Sequence, residues 1–468
     1  MRLTKRFFFI PFLLASIIFL TDCQEKISGS LKENIPPETF IFVQSEDSLN
    51  PTQSVQTLFW DGRDPDGFVT GFYYTFEENP QADDWVFTTE RSQTFPLVIT
   101  GTDTVYLFQV KAVDNQGAED PTPARQFFPI VNSPPEMSWS IGSAIPETTF
   151  TVASFSWTAS DPDGDSTIAK FEYSVDDTSS WVEIPGDKRS LTLREADGIT
   201  EGDHALYIRA VDIAGARSAT LRMPENPNAF WFARRPQGRY LLIDDYAVES
   251  NNSGFPDAYY QGLLDSLLAT TGDQYSYWNI EEQFPSSVTQ FTETLKLFDR
   301  IIWYTDIIDQ TDDHFIAAQI AIPEFRQNGG KIIYTVQFNA GFGGQGNPLA
   351  FSPVDSLGDA FNVIVSNSTY YPDPAFQETF PDLPPLPVLS TSKFIVGLIA
   401  LIPKVTSVPM YRYDDPNLTE DPIFIMAGRN DNTGEYDFIF SGTPMHFLQG
   451  NGNLNELFSI ILIDMFGP

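Results

Sequence analysis

The chain repeats itself once, and that repeat limits what its first half can fold into. Asn34-Ile35-Pro36-Pro37-Glu38 returns as Asn132-Ser133-Pro134-Pro135-Glu136. Phe59-Trp60, then Asp64-Pro65-Asp66-Gly67, returns as Ser156-Trp157, then Asp161-Pro162-Asp163-Gly164. Phe72-Tyr73-Tyr74 matches Phe171-Glu172-Tyr173, Trp85 matches Trp181, and Ala112-Val113-Asp114 with Gly117 matches Ala210-Val211-Asp212 with Gly215. A near-constant offset of about 98 residues identifies one structural unit used twice. Runs such as Thr104 to Ala112 and Ala205 to Val211 place every second residue on one face, the period of a half-buried strand. Asp-Pro-Asp-Gly and Asp114-Asn115-Gln116-Gly117 are turn chemistry, because proline presets φ and glycine accepts positive φ.

About a hundred residues with some seven strands and an early tryptophan fit a two-sheet sandwich. The pattern W-x-x-x-D-P-D-G, then aromatic-x-Tyr, Trp and Ala-Val-Asp resembles fibronectin type III and related Ig-like modules of bacterial envelope proteins. The resemblance covers residues 34 to about 233, divided as 34–131 and 132–233. Trp60, Trp85, Trp157 and Trp181 are expected in the cores rather than exposed to stack on sugar rings.

The pattern changes at Arg234-Arg235-Pro236-Gln237-Gly238. Arg239 to Asp245 reads as a continuous apolar strand ending in two acids. Tyr259 to Thr270 has helical spacing, and Tyr275 to Asn279 and Leu297 to Asp306 read as strands. A helix from His314 to Gln327 stops at Asn328-Gly329-Gly330, followed by a buried strand from Lys331 to Val336. Tyr436 to Ser441 reads as a strand and Leu454 to Phe466 as a closing helix. Alternating strands and helices, with strands apolar on both faces, predict a parallel sheet covered by helices. Residues 367–409 form a proline-rich insertion. Its Ile395 to Ile402 segment is too short to span a bilayer and is expected to be buried.

This second half, residues 236–468, resembles the class I glutamine amidotransferase-like fold, a flavodoxin-type three-layer α/β sandwich. The resemblance rests on Leu241-Leu242-Ile243-Asp244-Asp245-Tyr246, on Phe298 to Asp306, on Phe325 to Tyr334, and on Ser441-Gly442-Thr443-Pro444-Met445-His446. It implies a cysteine nucleophile on the turn after the strand that follows the glycines. That turn falls at Gln337-Phe338-Asn339, which offers neither thiol nor hydroxyl, so amidotransferase chemistry is not expected. The fold class expected for the whole chain is thus two all-β Ig-like sandwiches followed by an α/β domain that is a pseudoenzyme.

Arg2, Lys5 and Arg6 precede an apolar stretch from Phe7 to Leu20. A basic start followed by ~7–15 apolar residues is a secretory signal. Leu20-Thr21-Asp22-Cys23 resembles the lipobox of bacterial lipoproteins, departing from it at Asp22. The resemblance implies a signal peptide at 1–22, lipidation of Cys23 and a tether over 23–33. Gln24, next to that cysteine, favours the outer membrane. Cys23 is the single cysteine, so no disulfide within the chain is expected.

Several side-chain sets invite a site. Asp61, Asp64 and Asp66, like Asp161, Asp163 and Asp165, have the close spacing that can supply oxygens to Ca²⁺, and equally the spacing of aspartates that cap backbone amides in a tight turn. Asp244, Asp245 and Asp306 end neighbouring strands, where ligands of open parallel sheets gather, and are a candidate Mg²⁺ set; capping of helix N-termini is the alternative. Ser441 and His446 are a candidate nucleophile–base pair, though their spacing is not a recognised one. Gly341 to Gly346 is glycine-rich but lacks the lysine and helix of a phosphate loop.

The net charge of −36 and pI of about 4.2 repel phosphate backbones, so nucleic acid is excluded as a partner. The same acidity keeps an exported protein soluble, and it also concentrates divalent cations. The expected function is non-catalytic binding or scaffolding of a glycan or envelope protein from a lipid anchor in the membrane. The alternative is a metal-assisted or serine hydrolase acting on polysaccharide or peptide.

Overall fold

The computed structural model describes residues 32–42, 55–97, 103–246, 254–339, 341–342 and 347–467. The signal peptide expected at 1–22 and the lipidation expected at Cys23 fall outside the described residues. The chain divides into two compact units, Met1–Asn132 and Ser133–Pro468.

In the first unit, a three-stranded sheet (Glu38–Phe42, Val55–Arg63, Ser92–Pro96) and a four-stranded sheet (Val86–Thr88, Val69–Thr75, Asp103–Asp114, Ala124–Val131) are antiparallel throughout. Buried Trp60 sits between the sheets, its ring 5.4 Å from Phe108 and edge-on to Phe72 at 6.4 Å. This is the Ig-like layout that strand periodicity predicts.

The second unit opens with the same three-against-four arrangement. Ser190–Arg194, Val152–Ser160 and Glu136–Trp139 face Val182–Pro185, Ile168–Val175, Leu206–Asp212 and Leu221–Met223. Corresponding positions in the two sandwiches make corresponding bonds. The Trp60 amide donates to the Arg91 carbonyl at 2.9 Å and the Trp157 amide to the Arg189 carbonyl at 3.0 Å. Gly117 and Gly215 take φ of 84° and 89° in the matching turns, a region that favours glycine.

Trp85 and Trp181 differ from expectation. Neither is in a core: Lys111 lies over the Trp85 ring at 4.4 Å and Arg209 over Trp181 at 3.9 Å. Both precede short edge strands, where a ring faces outward and a cation from the strand two places in covers it.

The α/β part has five parallel strands. In chain order they are Tyr240–Asp245, Tyr275–Asn279, Arg300–Ile308, Lys331–Phe338 and Tyr436–Ser441, and their spatial order is second, first, third, fourth, fifth. The helix Gly254–Thr271 and the C-terminal helical segment Leu454–Met465 pack on one face through Tyr260, Leu263, Leu264, Leu457 and Phe458. The helices Val288–Leu295 and Asp313–Gln327 cover the other through Phe291, Leu295, Phe315 and Ala318. Two buried faces explain why the central strands read as unbroken apolar runs.

The proline-rich segment belongs to a larger β-rich part of the same sheet. Val354–Ile364 pairs antiparallel with Ile395–Pro403, and Ser407–Tyr413 pairs with Ile423–Arg429, which lies beside the fifth parallel strand. Val354–Ile364 carries Asp355, Gly358 and Asp359 and lacks the apolar density that marks a strand in sequence.

Sandwich and α/β part share a core. Phe150, on the short strand Thr148–Phe150, is 2% exposed and belongs to the apolar cluster of the α/β sheet. Its ring meets Phe298 at 5.1 Å and Trp278 at 6.0 Å, both edge-on. Buried Gln290 bonds the sandwich backbone in both directions, accepting from the Ser154 amide at 2.6 Å and donating to the Val152 carbonyl at 3.0 Å.

Candidate functional site

The parallel sheet sends its strand ends toward one rim, and the spatial order reverses at the first strand, so the helix leading to one of its neighbours, Gly254–Thr271, and the helix leading to the other, Val288–Leu295, lie on opposite faces. Open α/β sheets bind ligands at such a point. Asp244 and Asp245 end this strand and are 2% and 5% exposed. Successive residues of a strand point to opposite faces, so these two acids enter different surroundings.

On the face of the helix Gly254–Thr271, Asp244 accepts the Tyr277 hydroxyl at 2.5 Å, and Asp257 accepts the Tyr304 hydroxyl at 3.1 Å. Burial, opposed by the Tyr277 bond and aided by the charge of Asp257, pushes the Asp244 carboxyl up to about 7.

On the other face, Asp245 accepts from His314 Nδ1 at 2.5 Å and from Trp303 Nε1 at 2.9 Å. His314 stands in the first turn of the helix Asp313–Gln327, whose N-cap Asp312 accepts the His314 and Phe315 amides. Glu281, two residues past the second strand, reaches His314 Nδ1 at 3.7 Å, and the Phe284 ring packs on the imidazole with centroids 4.2 Å apart. Burial pushes the Asp245 carboxyl up to about 7 against these bonds. Burial also pulls His314 down, but the bond and charge of Asp245, with Asp312 and Glu281, outweigh it and hold the imidazole above its ordinary value.

Asp245, Glu281 and His314 form the one group of three such ligand side chains that converge among the described residues. This corrects the Asp244, Asp245 and Asp306 set. Strand parity separates the first two, and half-buried Asp306 turns back to accept the Ile307 amide at 2.8 Å. Sequence reading missed Glu281 and His314, although both follow strand ends on the rim where ligands were expected.

Ser441 and His446 do not make a nucleophile–base pair. Both are fully buried, and the Ser441 hydroxyl donates to the Thr443 carbonyl at 2.6 Å rather than toward the imidazole. Burial, with the nearby Lys393 charge, pushes His446 down to about 3. Two residues of the expected turn, Gln337 and Phe338, instead end the fourth strand: buried Phe338 packs on Phe342 at 4.5 Å and on Phe440 at 6.2 Å, and Gln337 donates to the Val396 carbonyl of the added hairpin.

The Asp-Pro-Asp-Gly aspartates serve the backbone. Asp64 accepts the Asp66 amide, Asp66 the Ile35 amide, Asp161 the Asp163 amide, Asp163 the Ser133 amide and Asp165 the Asp161 amide. Asp61 accepts the Gly62 amide and pairs with Arg91.

A cleft of about 620 Å³ opens where the second sandwich meets the edge strand Tyr275–Asn279. Phe150, Arg234, Arg235, Tyr275 and Tyr277 line it, together with Glu201, Asp265 and Asp273. It mixes aromatic faces with charges of both signs beside the open edge of a sheet.

No family model and no curated protein sequence matches the chain. Among solved structures, fibronectin(III)-like modules of Clostridium thermocellum CbhA are 15% identical over 42% of this chain and 95% of that one, with a TM-score of 0.18. A two-module fibronectin type III segment of chicken tenascin is 16% identical over 41% and 97%, at 0.21. The glutaminase domain of Trypanosoma brucei CTPS with bound acivicin is 9% identical over 50% and 97%, at 0.30.

Proposed function

We propose that this chain is an exported envelope protein, anchored by lipid on Cys23 and probing its surroundings with a recognition body built from the second sandwich and a degenerate amidotransferase-like domain. It binds a glycan or another envelope protein and leaves it chemically unchanged. The observation that carries this reading is Phe338. The parallel strand order 2-1-3-4-5 suits a flavodoxin-type domain, yet the end of the fourth strand, where amidotransferase chemistry needs a nucleophile, holds a buried aromatic ring.

Two further features support recognition. The shared core around Phe150 and Gln290 holds the cleft walls in fixed relation, which lowers the entropy lost on binding. The half-buried rings of Tyr275 and Tyr277 in the cleft suit sugar rings, and its open sheet edge suits an extended peptide.

Anchoring is tested by labelled-palmitate incorporation in cells expressing the full chain. The label is expected in the membrane fraction and is expected to vanish in Cys23→Ser. Label-free protein recovered from the medium contradicts the anchor. Recognition is tested by glycan array and envelope-protein pull-down. Arg235→Glu reverses an exposed cleft charge without touching the core, and it is expected to weaken capture severalfold.

A further inference from the structure

We propose that Asp245, Glu281 and His314 form a binding site for one divalent ion of the zinc class. This inference is independent of the recognition role above. The three donors come from separate segments: the end of the first strand, the loop after the second, and the first turn of the helix after the third. Their ligand atoms all lie within 4.8 Å of one another.

The separations fit an ion. Bonds of about 2.0–2.1 Å to a tetrahedral centre place neighbouring ligand atoms about 3.3 Å apart. His314 Nδ1 lies 2.5 Å from Asp245 and 3.7 Å from Glu281, on either side of that value. Rotation of the exposed Glu281 side chain and a small opening of the Asp245–His314 contact bring both distances to it.

The charge also fits. Two carboxylates face one imidazole, with Asp312 close behind. Among the described residues, no Lys or Arg forms an ion pair with Asp245, Glu281 or Asp312. A dication supplies the missing positive charge. The outer partners of a metal site are present too: Trp303 Nε1 fixes the second Asp245 oxygen at 2.9 Å, and Phe284 holds the imidazole plane. One imidazole nitrogen with two carboxylate oxygens favours Zn²⁺ over Ca²⁺ and Mg²⁺, which take oxygen donors. Three protein ligands leave a fourth position for water or for an oxygen of a bound molecule.

The test is calorimetric titration with Zn²⁺ and absorption titration with Co²⁺. It uses the full chain carrying Cys23→Ser, which removes the competing thiol. One equivalent is expected, with visible absorption from Co²⁺. His314→Ala is expected to abolish it, Glu281→Gln to weaken it at least tenfold, and Trp303→Phe to weaken it about 10–100-fold. Glu281 is bound within the described chain only to His314, so Glu281→Gln keeps the fold and the test stands if His314→Ala does not fold. No binding by the parent chain, or equal binding by parent and Glu281→Gln, overturns the proposal.

Discussion

Phe150→Ala is expected to lower the stability of the second unit by about 3–5 kcal/mol, the usual cost of emptying a buried phenylalanine site. Phe150 is contributed by the sandwich, but the space it fills lies in the α/β core, between Trp278 and Phe298. Arg234 lies over the same ring at 4.1 Å and loses its stacking partner. The cavity therefore weakens the junction as well as the core. Hydrogen exchange is expected to show protection falling together in Val152–Ser160 and in the helix Val288–Leu295, which Gln290 joins. A loss below 1 kcal/mol, or a loss confined to the sandwich, contradicts a shared core.

The second large effect is a pH dependence. His446 is buried as the neutral imidazole and is pushed down to about 3, whereas in the unfolded chain it titrates near 6.5. Between these values the unfolded chain binds the extra proton, so stability rises with pH across the window. The contribution is complete above 6.5 and falls as pH drops, by about 1.4 kcal/mol per unit. His446→Gln removes this term. Between pH 6.5 and 5.0 the parent chain is expected to lose about 2 kcal/mol more than the variant, read from urea unfolding. Parallel pH profiles for the two chains contradict a neutral, buried His446.

Much of the fold was legible because its signals are local. Trp60 and Trp157 follow alternating strands closely enough to place both rings in the cores, and Leu241-Leu242-Ile243 could only be a strand covered on both faces. The short helix Val288–Leu295 was not read: its apolar Val288, Phe291 and Leu295 keep helical spacing, but for barely two turns after the Ser287 cap. Trp85 and Trp181 were misplaced because composition does not tell an inner face from an outer one lined with cations. Phe150 illustrates a further limit: alternation shows that a residue points out of its sandwich, but not that another domain covers it.

The candidate site was half legible. Strand ends and acids pointed to the rim on which Asp245, Glu281 and His314 converge. Parity alone separates Asp244 from Asp245 and was readable in the sequence. The meeting of Asp245 with His314, 69 residues apart, depends on the spatial order of the strands, which no local pattern encodes.

The central claim is recognition without transformation. It is tested most directly by mass spectrometry of a captured glycan or peptide after prolonged incubation with the full chain. The account predicts that the ligand is recovered intact, in the same amount from the parent chain and from Ser441→Ala. Cleaved or modified ligand that disappears with Ser441→Ala or Asp245→Asn contradicts it.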